Sequence, residues 1–296
     1  MALNLSTILQ SVYQSLGELN MGLATGGSTT TVADSALANT SRDNVWKEGA
    51  LFIMRDAAGG NALPEGQFQR ISAYTNSTGT FTVDTAFTTA AAAGDLYGVA
   101  SSFYPLRQVI QAVNESLTDL GDVDLVDTTT LDTVDTTTEY AAAVAWKRSR
   151  PYRIDIQTLT NSSTDNQWRQ WHGWDYVPAA GGSTGLIIFY EYQFGSRDIR
   201  VWYRDKHPTL AVYSDVVNEA FDPEMVKRAA LLKTIEWQVG RNQGNDDFLV
   251  QKLTNARQDL ENRRVTNPGW RMKRGPKLMI VGPRPDDDYY DDVATP

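Results

Sequence analysis

Residues 222–260 read DPEMVKRAALLKTIEWQVGRNQGNDDFLVQKLTNARQDL. Asp222 and Pro223 pair an N-capping carboxylate with a residue whose fixed φ and missing N–H suit a first helical turn. Behind them Met225, Ala229, Leu232, Ile235 and Val239 recur at three- and four-residue steps and so line one face. Residues 242–245, with Gly244, make a turn. Asp246 and Asp247 then stand where a second helix begins and its dipole favours anions. Leu249, Leu253, Ala256 and Leu260 supply the second stripe. The stretch predicts an antiparallel helical hairpin. Neither helix buries its stripe alone, so apolar partners must come from elsewhere in the chain.

Two other segments have that pattern. In residues 3–19, Leu5, Ile8, Leu9, Val12, Leu16 and Leu19 share a helical face, with Gly22 and Gly26-Gly27 as the stop and a Ser/Thr-rich linker to about Asp43. A further helix opens at Pro105, carries Val109, Val113, Leu117 and Leu120 on one side, and ends at Gly121. Strand texture fills the intervals. Residues 50–54, 68–74, 80–83 and 96–99, separated by turn-forming Gly, Pro and Asn, predict a small β-barrel module. Residues 128–138 read as a linker or edge segment. Residues 152–159, 168–171, 174–177, 185–190 and 199–204 predict a two-layer β-sandwich, with Ile154/Ile156 and Ile199/Val201/Tyr203 facing inward. Beyond Pro268, prolines at 276, 283 and 285 exclude a helix and predict an extended arm, ordered only by a partner.

The expected fold is therefore α+β: a discontinuous helical core with two inserted all-β modules projecting from it. Its segments are a helix and linker (1–44), the small β-module (45–102), a helix and linker (103–139), the sandwich (140–214), the hairpin that completes the core (215–267) and the arm (268–296). Core packing is assigned to Leu5, Leu9, Leu16, Val109, Val113, Leu117, Leu232, Ile235, Leu253 and Leu260.

Composition narrows the chemistry. The 296 residues carry a net charge of −9, which argues against free nucleic acid as the main partner. The charge is uneven: residues 1–145 sum to −11, residues 146–285 to +7, and the last eleven residues to −5. Opposite-signed halves suit a chain that meets copies of itself or a charged neighbour. With no cysteine, disulfides, thiolate metal sites and Cys nucleophiles are excluded, and His172 and His207 are the only histidines. No apolar run approaches the ~18 residues of a spanning helix. The first cation is Arg42, so no secretory leader is expected and the chain is read as soluble, made in a cytoplasm, with no membrane partner.

Catalytic signatures are weak. Residues 181–185 match G-x-S-x-G around Ser183, but a strand rather than a helix follows, against the nucleophile-elbow geometry. Neither histidine has a carboxylate pattern that would orient its ring. Asp286, Asp287 and Asp288, with Asp291 and Asp292, fit no cation-binding loop and read as a solvated or docking acidic tail. No cofactor or metal is expected, and no enzymatic activity. Trp168, Trp171, Trp174 and Tyr176 would fill the sandwich core or, if exposed, stack a glycan. Trp270, Arg271, Lys273, Arg274 and Lys277 would grip nucleic acid or, as the net acidity favours, acidic protein such as the acidic first half of a neighbouring copy.

Three stretches resemble head-to-tail connector (adaptor) proteins of tailed bacteriophages: residues 59–66 through 94–97, residues 107–121, and above all Ile199-Arg200-Val201-Trp202-Tyr203-Arg204-Asp205-Lys206-His207-Pro208 leading into the hairpin. The resemblance implies an adaptor-like helical core interrupted by β insertions, a ring, usually twelvefold, under the portal protein, and a tail or second connector protein below. It also implies DNA passing through the bore without sequence recognition, a place in the virion neck, and a C-terminal arm that reaches the portal. Two other classes remain: a capsid decoration or tail-surface protein binding glycans, and a virion hydrolase using Ser183.

Overall fold

A computed structural model describes residues 3–59, 62–129, 137–143, 146, 150–157, 168–178, 185–191, 197–244 and 246–266. Helix α1 (Leu5–Leu16) starts where Asn4 Oδ1 accepts the Thr7 N–H at 2.8 Å. It stops earlier than the apolar period suggests. Gly17 takes the left-handed φ of 76°, its N–H bonding back to the Gln14 carbonyl, and the Glu18 N–H returns to Tyr13. Leu19 thus leaves the helix and opens strand β1 (Leu19–Leu23).

The linker expected after it is corrected. Besides β1, residues 26–27 and 31–33 form β2 (Gly26–Gly27) and β3 (Thr31–Ala33). Val32, flanked by threonine and alanine, is fully buried and anchors β3 in the module's core. With β4 (Ala50–Arg55), β5 (Phe68–Thr75), β6 (Thr80–Val83) and β7 (Leu96–Ala100) these strands make one antiparallel sheet in the order β1-β7-β4-β5-β6-β3-β2. Register shifts at Ile53/Arg55 and Ile71/Ala73 bend it. The expected barrel is not closed. Edge strands β1 and β2 are consecutive in the chain, so Ala24 and Thr25, rather than a hydrogen-bond ladder, join the two edges.

Strand β4 shows why residues 50–53 are continuously apolar. Leu51 and Ile53 face the β core with Tyr74, Phe81 and Tyr97, while Ala50 and Phe52 face the helices. The Phe52 ring meets Tyr13 of α1 at 5.9 Å, edge to face. The first module therefore does not merely project; its inner strand is part of the helical core.

That core gathers all four helices: α1, α2 (Leu106–Leu120), α3 (Pro223–Arg241) and α4 (Asp247–Thr266). Leu5, Leu9, Leu16, Val109, Val113, Leu117 and Ile235 are buried in one cluster, Leu232 and Leu253 pack against its rim, and Leu260 is buried with Met225 and Ala229 beside it. Helix α3 is central, touching α1, α2 and α4. Its buried face is accordingly wider than the predicted stripe and takes in Val226, Ala230, Thr234 and Gln238, while Val239 is only half-buried. Lys252 of α4 donates to the Leu16 carbonyl at 3.0 Å, supplying a cation to the end of α1, whose last turn has none. Burial pushes the Lys252 ammonium below its ordinary range, with Glu18 acting the other way.

The second module starts earlier than residue 140. Strand β8 (Asp122–Asp127), which the sequence reading left inside the 103–139 helix-and-linker segment, pairs along β14 (Ile199–Lys206). One sheet runs β11-β10-β14-β8, with β10 (Arg153–Gln157) and β11 (Trp168–Trp171). The other runs β12-β13-β9, with β9 (Glu139–Ala141), β12 (Trp174–Val177) and β13 (Leu186–Phe189). Ile154, Ile156, Ile199 and Val201 of the first sheet share one buried cluster with Tyr140, Tyr176, Ile187 and Phe189 of the second, so the two sheets pack as layers.

Candidate interaction surfaces

The segment between β14 and α3 is where the parts are tied together. Asn114 of α2 accepts the Leu210 N–H at 2.8 Å and donates to the Leu210 carbonyl at 2.9 Å. The Leu5 N–H donates to the Asp215 carbonyl and the Val217 N–H to the Leu3 carbonyl, stitching the same segment to the start of α1. His207 is structural here. Its Nε2 accepts the Asn218 N–H at 2.9 Å, which leaves Nδ1–H to donate to the Pro208 carbonyl at 2.6 Å.

Beside this junction α2, α3 and α4 enclose a cleft of about 310 Å³. Its floor is Leu120, Ala229, Leu232 and Leu260, and its rim is charged. The rim charges are already paired: Lys233 with Asp119 at 2.6 Å, Arg257 with Glu236 at 3.0 Å, Arg264 with Glu261 at 2.7 Å. Hydrogen bonding to Asp119 raises the Lys233 ammonium above its ordinary range despite some desolvation. The cleft suits an apolar side chain rather than a charged ligand. On the far end of α4, Phe248 is 71% exposed, an apolar knob on a different face from this hollow.

A second surface is the outer face of the β11-β10-β14-β8 sheet. The two-residue period that sends Ile199, Val201 and Tyr203 inward sends Arg200, Trp202 and Arg204 outward. Each guanidinium on this face lies over a ring: Arg200 over Trp168 at 3.7 Å, Arg153 over Trp202 at 5.3 Å, Arg204 over Tyr152 at 5.5 Å. Asp155, 2% exposed, accepts from Arg153 Nε at 2.7 Å and Trp202 Nε1 at 2.8 Å. Arg204 pairs with Asp124 at 2.8 Å. The Tyr152 hydroxyl is pushed up to about 12, by burial first and by Asp124 next. Trp, Tyr and Arg are the side chains that dominate interface energetics. Sequence reasoning used the alternation of residues 199–204 for its inward half, Ile199, Val201 and Tyr203, and left the outward Arg200, Trp202 and Arg204 unread.

The tryptophan cluster divides. Trp171 and Trp174 pack against the sandwich core and Tyr176 is buried in it, while Trp168 stands on the outer face under Arg200. His172 is exposed in the turn between β11 and β12. Ser183 lies outside the described residues, as do Trp270, Arg271, Lys273, Arg274, Lys277, Asp286, Asp287 and Asp288. Among the described residues no three His, Asp or Glu side chains converge as metal ligands, and no helix is long and apolar enough to cross a membrane. Neither a protein-family model nor a curated protein matches this chain.

Proposed function

We propose that the chain is a structural protein of a tailed-phage virion, a head-to-tail connector whose copies close into a ring between portal and tail. The observation that carries this reading is the single core built from helices at residues 5–16, 106–120 and 223–266, interrupted by two β modules. Such a core makes a rigid wedge with distinct flanks, and a ring needs heterologous contacts between two different flanks. The α2–α3–α4 cleft and the exposed Phe248 knob lie on separate faces, and residues 1–145 and 146–285 carry opposite charge. In this reading the ring is twelvefold, residues 268–296 engage the portal or a neighbour, and the finished protein resides in the virion neck after synthesis in the host cytoplasm.

DNA passes through the bore without sequence recognition. The outward side of α2, with Gln111, Glu115 and Asp119, has the amide and carboxylate character that lets DNA slide rather than stick. The glycan-binding reading needs open tryptophan faces, whereas Trp168 is stacked by Arg200 and Trp171 and Trp174 serve the core. Negative-stain imaging of the purified chain, alone and mixed with the portal protein of the same phage, tests the proposal. Rings that cap portal particles are expected; single particles that ignore the portal would end it.

A further inference from the structure

We infer that the free edge of strand β1 is completed by residues 277–281 of a neighbouring copy, added as a further strand. The neighbour rests on the ring reading; the match between edge and segment does not. Among the described residues the three sheets end on six edge strands. Strands β8, β9, β11 and β12 each carry a charged side chain, and β2 is two residues long, all of which discourage pairing with another chain. Strand β1 has neither protection: Leu19-Asn20-Met21-Gly22-Leu23 is five residues long and uncharged. The phase of its ladder is fixed by the Ala24 N–H, which donates to the Asp95 carbonyl at 2.8 Å just before β7. Alternate residues of an antiparallel strand turn both backbone groups to one side, so Asn20 and Gly22 also bond β7, while Leu19, Met21 and Leu23 aim N–H and C=O away from it. Met21 stands opposite Gly98 and Gly98 opposite Phe52, so Met21 and Leu23 share the face that Phe52 turns to the helices. They lie past the point the helices cover, 63% and 57% exposed.

The sequence beyond α4 holds one segment suited to that edge. Residues 276–283 read PKLMIVGP, and Leu278-Met279-Ile280-Val281 is the longest apolar run after Thr266. Ile280 and Val281 are β-branched, and Pro276 and Pro283 stand outside the run, where a missing N–H takes nothing from a strand. Five residues from Lys277 match the five of β1, each ~17 Å long when extended. Either alternate pair, Leu278 with Ile280 or Met279 with Val281, would cover Met21 and Leu23. The new edge would then be Lys277 bounded by two prolines, the protection that β1 lacks. Reach favours a neighbour. Lys252, early in α4, is the residue that meets Leu16 just before β1, and the fourteen residues from there to Thr266 carry the chain ~21 Å along the helix, away from the start of its own β1. From Thr266 to Lys277 an extended chain spans at most ~40 Å, enough to cross to an adjoining subunit.

The chain has no cysteine, so introduced thiols report cleanly. Two full-length chains with different tags are co-expressed, purified and mildly oxidised. One carries Met21→Cys; the other carries Leu278→Cys, Met279→Cys, Ile280→Cys or Val281→Cys. The expected result is a mixed disulfide several-fold above both symmetric ones, strong at two alternate arm positions and weak at the two between, because a strand presents every second residue to the Met21 face. Asn20→Cys, which leaves β1 on the opposite face, should exchange the strong and weak positions. Equal yields at all four positions, or a mixed disulfide no more abundant than the symmetric ones, overturn the added strand. A dominant disulfide between two Met21→Cys chains gives the edge to a second copy of β1 and overturns the arm as its occupant. A chain carrying both cysteines that closes only within itself overturns the assignment to a neighbour. Masses are read on the same samples. Rings that persist without the mixed disulfide defeat the added strand alone, whereas an alternating mixed disulfide in particles that form no ring upholds the strand and defeats the assembly reading.

Discussion

Replacing Asn114 by Leu removes the clamp that α2 places on the segment leading into α3. The substitution preserves size and raises helix propensity, so any stability lost is that of the hydrogen bonds. Asn114 accepts the Leu210 N–H at 2.8 Å and donates to the Leu210 carbonyl at 2.9 Å and to its own Ile110 carbonyl at 3.1 Å. The Ile110 carbonyl keeps its helical partner, so only the two Leu210 groups are orphaned. Leu210 is 3% exposed within the helical cluster, and water cannot freely replace Asn114 there. An orphaned buried group costs about 1–3 kcal/mol, and the half-buried setting of Asn114 favours the lower part of that range, so the loss is about 2–4 kcal/mol. Urea unfolding followed by tryptophan fluorescence reads it as a lower midpoint at unchanged slope. Gln111→Leu one turn earlier touches only exposed Glu115 and should change little. If Asn114→Leu unfolds within about 0.5 kcal/mol of the parent, the range of ordinary surface changes, the junction is not tied as described.

Three other outcomes are expected. Gln238 is fully buried in α3 with neither amide atom hydrogen-bonded, so Gln238→Met should stabilise by about 1–3 kcal/mol in the same urea assay; a loss would show that the amide has a partner in solution. Burial pushes the Tyr104 hydroxyl up to about 12 from the ordinary 10.0, with Glu18 and Asp246 adding to it, so the unfolded chain ionises first. Stability should then fall as pH climbs from about 10 to about 12, and Tyr104→Phe should flatten that fall; an equal slope in the variant would contradict the burial. A Cβ on Gly22 would sit 2.6 Å from the Tyr97 hydroxyl and 2.9 Å from Asp34 Oδ2, so Gly22→Ala must part the 2.7 Å Tyr97–Asp34 hydrogen bond. The expected cost is about 1–3 kcal/mol, read as a lower melting temperature, and a variant as stable as the parent would mean that β1 shifts without strain.

The helices were legible because their apolar residues repeat every three or four positions and because capping residues mark their ends: Asp222 does accept the Glu224 N–H at 2.9 Å. The short strands 80–83, 168–171 and 174–177 were legible from alternation and turn chemistry. What escaped has a common cause. Strands β2 (Gly-Gly) and β3 (Thr-Val-Ala) are too short, and β8 (half of it Asp) too acidic, to stand out on composition, and they are strands because a partner already exists for them: β6 for β3, β14 for β8. Their pairing is a long-range fact that composition cannot carry. Gly17 was overlooked as a stop because Leu19 kept the period going, although its left-handed φ is a local signal. At the candidate surfaces, the aromatic residues stood out singly, but the stacking of Arg200 on Trp168 depends on β10 bridging β11 and β14.

The most direct test of the account is the native mass of the full-length chain across a dilution series. Separated helices drawn into one wedge with unlike flanks predict a discrete mass that is a high multiple of 32.8 kDa, persisting on dilution and resolving as a closed cycle. A single 32.8 kDa species at every concentration, with or without the portal, would contradict it.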